Sequence, residues 1–189
     1  MTVGQEQRDS LQGLLILATP AIEEPIFRRT VILVLEHNPE GAVGVVLNRP
    51  SPVPIEAAVE QWSALACHPA VIFTGGPVDP ESAIALARVR PGVLTEAPLL
   101  VGRIGIVDLA KDPEQLSKDV TDLRIFGGYA GWAAGQLESE LYDKGWWVAN
   151  PLADDLLSEE PNGLWHAVLA RQDGSLAWYA HYPDDPDLN

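Results

Sequence analysis

The sequence predicts an α+β domain with a mixed or antiparallel sheet, and three observations carry that reading. Strand-length apolar runs come in hairpin-like pairs, such as Thr30–Glu36 followed by Ala42–Leu47. Helical periodicities are inserted between these runs without the regular βαβα alternation of a parallel sheet. The 189 residues, 47% of them hydrophobic, suffice for one core, and no linker divides the interior.

Leu14-Leu15-Ile16-Leu17-Ala18 is a continuous apolar run of strand length, as expected for a strand covered on both faces, and Pro20 ends it. The β-branched runs 30–36 and 42–47 flank the turn-rich pentad His37-Asn38-Pro39-Glu40-Gly41 and predict a hairpin. Pro50-Ser51-Pro52-Val53-Pro54 reads as a break in the sheet. Ile55, Ala58, Val59, Trp62, Leu65 and Ala66 then form one apolar stripe, which predicts a helix with Pro54 at its start. Strands are expected at Val71–Phe73, Ser82–Val89, Leu99–Val107, Leu123–Gly127, Trp146–Val148 and Leu176–Tyr179. Asp112 caps a short helix opening with Pro113, and further helices are expected at Trp132–Tyr142, Pro151–Leu157 and Leu164–Ala170. Residues 1–10 and the acidic, proline-rich 182–189 read as mobile tails of a single domain, 1–189.

Twelve Lys and Arg stand against 27 Asp and Glu, a formal charge of −15. Nucleic-acid affinity rests on basic neutralisation of phosphates, so direct nucleic-acid binding is disfavoured, as is an anionic membrane surface. No apolar run approaches the roughly 20 residues of a spanning helix. The polar start lacks the pattern of a secretory leader, so the cytoplasm is the expected compartment. The lone Cys67 excludes an intramolecular disulfide. Histidines 37, 68, 166 and 181 are scattered without metal-ligand spacing, no G-x-S-x-G elbow is present, and no metal or other cofactor is expected. Cys67 and His68 are chain neighbours whose side chains diverge, which argues against a dyad. Glu23-Glu24 and Asp154-Asp155 read as solvated or helix-start charges rather than acid/base pairs.

Three places could hold a ligand. In Gly127-Gly128-Tyr129-Ala130-Gly131-Trp132 the sequence reads as a strand giving way to a glycine-rich turn and then a helix without a capping side chain, so amide groups near Gly131 and Trp132 are an anion-site candidate. On that helix Gln136 and Glu140 lie one turn apart beside the apolar stripe, and a half-buried Glu140 needs a partner. The alternative is that the glycines permit tight strand–helix packing while Gln136 and Glu140 serve the backbone. Asn48 and Arg49 close the hairpin strand, where a guanidinium can clamp a carboxylate or phosphate; the alternative is an ion pair with Glu140 or Asp79. Thr74-Gly75-Gly76 lets a ligand or a backbone approach closely, or is simply a tight turn. The tryptophans at 132, 146, 147, 165 and 178 are read as packing, one or two of them available to line a groove.

Five blocks make the chain resemble the AlgH/YqgE family of bacterial proteins. They are Gly13–Pro20, Phe27–Val31, Glu36–Asn38 with Gly41–Pro50, Gly75–Val78 and, above all, Gly128–Trp132 with Gly135–Leu141. The resemblance implies an α+β fold whose mixed, largely antiparallel sheet is bifurcated and folds into a pseudo-barrel with flanking helices. It implies no catalytic residues, although a transcriptional-regulator label is attached to some members. The chain departs from the pattern after Val78: Ser82–Arg88 stands where an Arg, an aromatic and a His are expected. On these grounds the first expectation is a non-catalytic module that binds a small anionic ligand near Asn48, Arg49, Gly75, Gly76 and Gly131. An adaptor for an unknown protein partner comes second and a direct DNA regulator third. An enzyme using Arg49, Gln136 and Glu140 comes last.

Overall fold

The computed structural model describes residues 10–95 and 98–181. Apart from Ser10, the tails expected at 1–10 and 182–189 lie outside the described residues. Among these residues the chain forms ten strands and six α-helices: a mixed α+β architecture around one large, mainly antiparallel sheet.

Strand β1 (Leu15–Ala18) lies between β2 (Val31–Asn38) and the late strand β10 (Trp146–Ala149), antiparallel to both. All four of its side chains are buried. Alternation explains the uninterrupted apolar run: Leu15 and Leu17 face one core cluster while Ile16 and Ala18 face another. β2 and β3 (Gly41–Val46) form the predicted hairpin, but the turn is tighter than the pentad, with Asn38 opposite Gly41. The Glu40 N–H donates to Asn38 Oδ1 at 2.8 Å, an Asx turn that fixes the reversal. A Cβ on Gly41 would come within 2.2 Å of the Trp132 carbonyl oxygen, so only glycine fits there.

Several elements differ from expectation. The proline-rich 50–54 segment is itself a strand, β4 (Pro50–Pro54), paired antiparallel with β5 (Val71–Thr74). β4 pairs with no other strand, and an edge position tolerates missing N–H donors. The helix expected over 55–66 is α1 (Ile55–Val59) followed by a 3₁₀ segment (Glu60–Leu65), because Val59 leaves helical dihedrals at φ −149° and ψ 66°. β6 begins at Val78 rather than Ser82 and runs to Val89. The single strand expected at 99–107 is a hairpin, β7 (Leu99–Val101) and β8 (Ile104–Val107), reversed at Gly102, whose φ is 56°. Asp112 caps α2 (Pro113–Asp119) as expected, accepting the Glu114 N–H at 2.7 Å.

The largest correction concerns the glycine-rich segment. β9 spans Val120–Ala133, so Gly127 to Trp132 belong to a strand and not to a turn and helix start. Helix α3 (Gln136–Tyr142) starts later, behind Gly135 at φ 74°. Strand β9 is the spine of the sheet. β6 pairs along one side of it. On the other side its partner changes, parallel β5 at Phe126–Gly127 giving way to antiparallel β3 at Ala130–Ala133. The bifurcation thus lies at Gly127–Gly128. The expected pseudo-barrel does not close: β10 and β7 end the strand path without pairing to each other.

α4 (Ala153–Leu156) and α5 (Leu164–Ala170) pack on the cluster that contains Leu15, Phe73 and Phe126. The strand expected at Leu176–Tyr179 is instead a helical turn, α6; Leu176 and Ala180 pack against the same cluster. Asp155, read as a solvated or helix-start charge, is a helix-start charge in the first turn of α4, and it is buried. It accepts the Leu152 N–H at 2.7 Å and is gripped by both terminal nitrogens of Arg171.

Candidate functional site

The β1–β2 connection, residues 19–30, packs Ile22 and Phe27 on the core and is tied down by hydrogen bonds. Thr19 Oγ1 donates to the Lys144 carbonyl at 2.9 Å, and Thr30 Oγ1 donates to the Phe27 carbonyl at 2.7 Å. The Phe27 and Arg28 amides both donate to the Glu24 carbonyl, and the Phe27 ring packs edge-on against Trp146. Arg29 adopts φ 55°, which turns the chain into β2. Asn48 and Arg49, just after β3, hold this turn. Buried Asn48 accepts the Val31 N–H at 2.9 Å and donates to the Arg29 carbonyl at 2.8 Å. Arg49 donates to the Arg28 and Asn48 carbonyls, so the ion pair with Glu140 or Asp79 considered for it does not form. By gripping two successive carbonyls, the Asn48-Arg49 pair sets the direction of the Arg28 and Arg29 side chains.

Those side chains line an open cleft of 420 Å³ together with Asn48, Arg49, Glu23 and Pro25. The 3₁₀ turn at Pro161–Gly163 and helix α5 close the far wall with Asn162, Trp165 and His166. Trp165 is fully buried, its indole N–H donating to the Ala18 carbonyl at 3.0 Å, and the Arg29 guanidinium lies 5.2 Å from its ring centroid. His166 Nδ1 donates to the Ala180 carbonyl at 2.8 Å, because a carbonyl can only accept. Its Nε2 therefore accepts from Arg29, 3.3 Å away. The histidine thereby orients a guanidinium. Burial lowers the Arg49 guanidinium from its ordinary value. Among the described residues, three of the chain's 12 Lys and Arg line this cleft together with the carboxylate of Glu23, on a chain of net charge −15. The guanidinium groups and the exposed Asn162 amide form a donor-rich surface suited to a carboxylate or phosphate.

Sequence reasoning reached Asn48 and Arg49, and Trp165 only as one of five tryptophans of which one or two could line a groove, but missed Arg28, Arg29, Asn162 and His166. Two adjacent arginines in a base-poor chain were the available signal. Thr74 borders the site through the backbone alone, its N–H donating to the Arg49 carbonyl at 2.8 Å. Gly75 and Gly76 lie under β9. The Gly75 N–H donates to the Gly127 carbonyl, and a Cβ on either glycine would fall within about 2.2 Å of β9 backbone atoms, the values being 2.2 Å from Gly128 O and 2.1 Å from Tyr129 C. They serve a close backbone crossing. Gly131 is in mid-strand. Trp132, Gln136 and Glu140 form a separate network: the indole N–H groups of Trp132 and Trp146 donate to Glu140 Oε2 at 2.9 and 2.8 Å. Gln136 donates to Glu140 Oε1 at 2.9 Å and accepts the Ala133 N–H at 3.0 Å. None of Gly75, Gly76, Gly131, Trp132, Gln136 or Glu140 lines the arginine cleft.

Elsewhere, His37 accepts the Leu11 N–H at Nδ1 and meets Glu138 through Nε2 at 2.9 Å. The Glu138 carboxyl is held below its ordinary value, first by a backbone N–H and then by His37. Burial pushes the Cys67 thiol up, with the Arg124 guanidinium pulling the other way; this is the reverse of what a nucleophilic thiolate needs. Arg124 is itself buried, donating to the Ser158 and His68 carbonyls over the Phe73 ring. Among the described residues no three His, Cys, Asp or Glu groups come together as a metal site requires, and no helix is long and apolar enough to cross a membrane.

Comparison with known proteins agrees across the whole chain. Residues 15–177 match a family model described as AlgH-like. A UPF0301 protein of Streptomyces coelicolor is 49% identical over 98% of this chain and 99% of its own. A UPF0301 protein of Thermobifida fusca is 40% identical over 96% of this chain and 97% of its own. Among solved structures, a Corynebacterium diphtheriae protein superposes with a TM-score of 0.86 at 29% identity, covering 96% of this chain and 95% of its own. The AlgH protein from Pseudomonas aeruginosa superposes at 0.67 with 28% identity, covering 98% of this chain and all of its own.

Proposed function

The chain belongs to the AlgH-like family, and within that fold we propose that it is a binding module for a small anion, a phosphate or carboxylate held in the arginine cleft without bond-breaking. One observation carries this reading: Arg28, Arg29 and Arg49 converge from two loops on one cleft of an otherwise acidic chain. The backbone bonds of Asn48 and Arg49 pre-orient the cleft, which lowers the ordering cost of binding. Both ring nitrogens of His166 are engaged, one with Ala180 and one with Arg29, and this favours a positioning role over proton transfer. The anion is small rather than a nucleic acid, since the wider surface is acidic and repels a polyphosphate backbone.

Calorimetric titration with inorganic pyrophosphate tests the reading. Charge-assisted hydrogen bonds contribute about 1.5–3 kcal/mol each, so Arg28→Gln with Arg29→Gln is expected to weaken uptake by about tenfold or more. Equal uptake by the folded double variant would overturn the assignment.

A further inference from the structure

We propose that His37 is a proton-operated latch on the segment Ser10–Gln12. Segment and proton compete for one lone pair, that of His37 Nδ1, so acidification releases the segment from β2. The latch is independent of the arginine cleft. It follows from the donors around the ring. The Leu11 N–H lies 3.0 Å from Nδ1, and an amide N–H only donates, so Nδ1 carries no proton in this arrangement. The ring proton therefore sits on Nε2, which donates to Glu138 Oε1 at 2.9 Å. An imidazolium carries N–H groups on both nitrogens. A proton on Nδ1 sets N–H against N–H, and the Leu11 contact is lost while the contact to Glu138 becomes an ion pair.

Few other bonds hold the segment. Ser10 Oγ donates to the His37 carbonyl at 3.1 Å, and Gln12 Nε2 donates to the Leu35 carbonyl at 2.9 Å. The Leu11 side chain completes an apolar cluster with Val34, Ala42, Trp132 and Leu137. Regular pairing of β1 with β2 begins only at Leu15. The charged groups around the ring favour the proton. Glu138 on α3 is in direct contact, and its carboxyl is held below its ordinary value by a backbone N–H and then by His37, so it stays ionised as the ring titrates. Glu36 and Glu40 flank the ring on its own hairpin. Glu140 of α3 is engaged by two indoles, β3 sets Ala42 opposite His37, and Ser10–Gln12 carries no charge. Release takes Leu11 out of its cluster and turns a proton signal into exposed apolar surface.

The test follows the full chain by amide and imidazole NMR from about pH 8 to about pH 5. The Leu11 amide shift is expected to follow the His37 ring titration with one midpoint. Its protection from exchange, corrected for the intrinsic rate, should fall about tenfold or more across that midpoint. The Ile32 amide, inside the β1–β2–β3 ladder, should keep its protection. Because docking and protonation are linked, three variants give opposed outcomes. Gln12→Ala weakens docking and should move the His37 midpoint up. Glu138→Gln weakens the proton's hold and should move it down. His37→Gln should abolish the pH-dependent step at Leu11. Constant Leu11 protection through the His37 titration overturns the latch. So does an unmoved midpoint in Gln12→Ala, or a step that persists in His37→Gln.

Discussion

Glu140 shows how much one side chain can organise. Its two carboxylate oxygens receive two indole N–H groups and one amide, joining β9, β10 and α3 at a single point. Glu140→Ala leaves both indoles, on 7% and 5% exposed tryptophans, without their acceptor. The expected loss is about 2–3 kcal/mol, read from chemical denaturation with a shifted tryptophan emission; Glu140→Gln keeps an acceptor oxygen and should cost less. That Glu140 needs a partner is legible from its place on the helical wheel. The partners are not, because Trp132 is presented by an unexpectedly long strand and Trp146 comes from another. Glu138 carries a pH effect. Its folded value is depressed, so its contribution is present above the ordinary carboxylate value, about 4.3, and is lost as pH falls through the lower folded value. Glu138→Gln should flatten this part of the acid limb of stability by about 0.5 kcal/mol or less, as for an exposed pair.

At the scale of elements, the bifurcation at Gly127–Gly128 is the feature on which the others depend. The chain around Gly75 and Gly76 crosses β9 so closely that a side chain cannot enter. Gly76→Ala must displace the Tyr129 backbone and is expected to cost about 3 kcal/mol or more. Gly92→Ala, with nothing within 4 Å but φ 84°, should cost only about 1–2 kcal/mol. Thermal melts of the two variants check the contrast, and equal losses would contradict the crossing. The apolar runs of β1, β2 and β3 make the hairpin half legible, since alternation and turn chemistry are local. The Gly127–Trp132 segment misleads because glycines usually mark turns. Here they permit two backbones to meet, a fact that depends on residues about 50 positions away. The Pro50–Pro54 strand misleads for a related reason: its edge position excuses the missing donors, and edge positions are set by topology.

Over the whole molecule, the contrast between an acidic surface and a basic cleft organises the account. A charge of −15 repels itself, so raising ionic strength from about 0.01 to 0.15 M should raise the melting temperature. The same change should weaken pyrophosphate uptake, and opposite trends in the two measurements are the expected signature. The α+β class was legible from the order of the runs, whereas the cleft was legible only at Asn48 and Arg49. Its other residues come from the β1–β2 loop, a 3₁₀ turn and α5, and no local spacing rule joins segments over 100 residues apart. The most direct test of the anion site is an amide NMR titration of the full chain with pyrophosphate. The account predicts shifts centred on Arg28, Arg29, Asn48, Arg49 and Asn162 to His166. Shifts centred on Thr74–Gly76 or Gly131–Glu140, or none at saturating ligand, would contradict it.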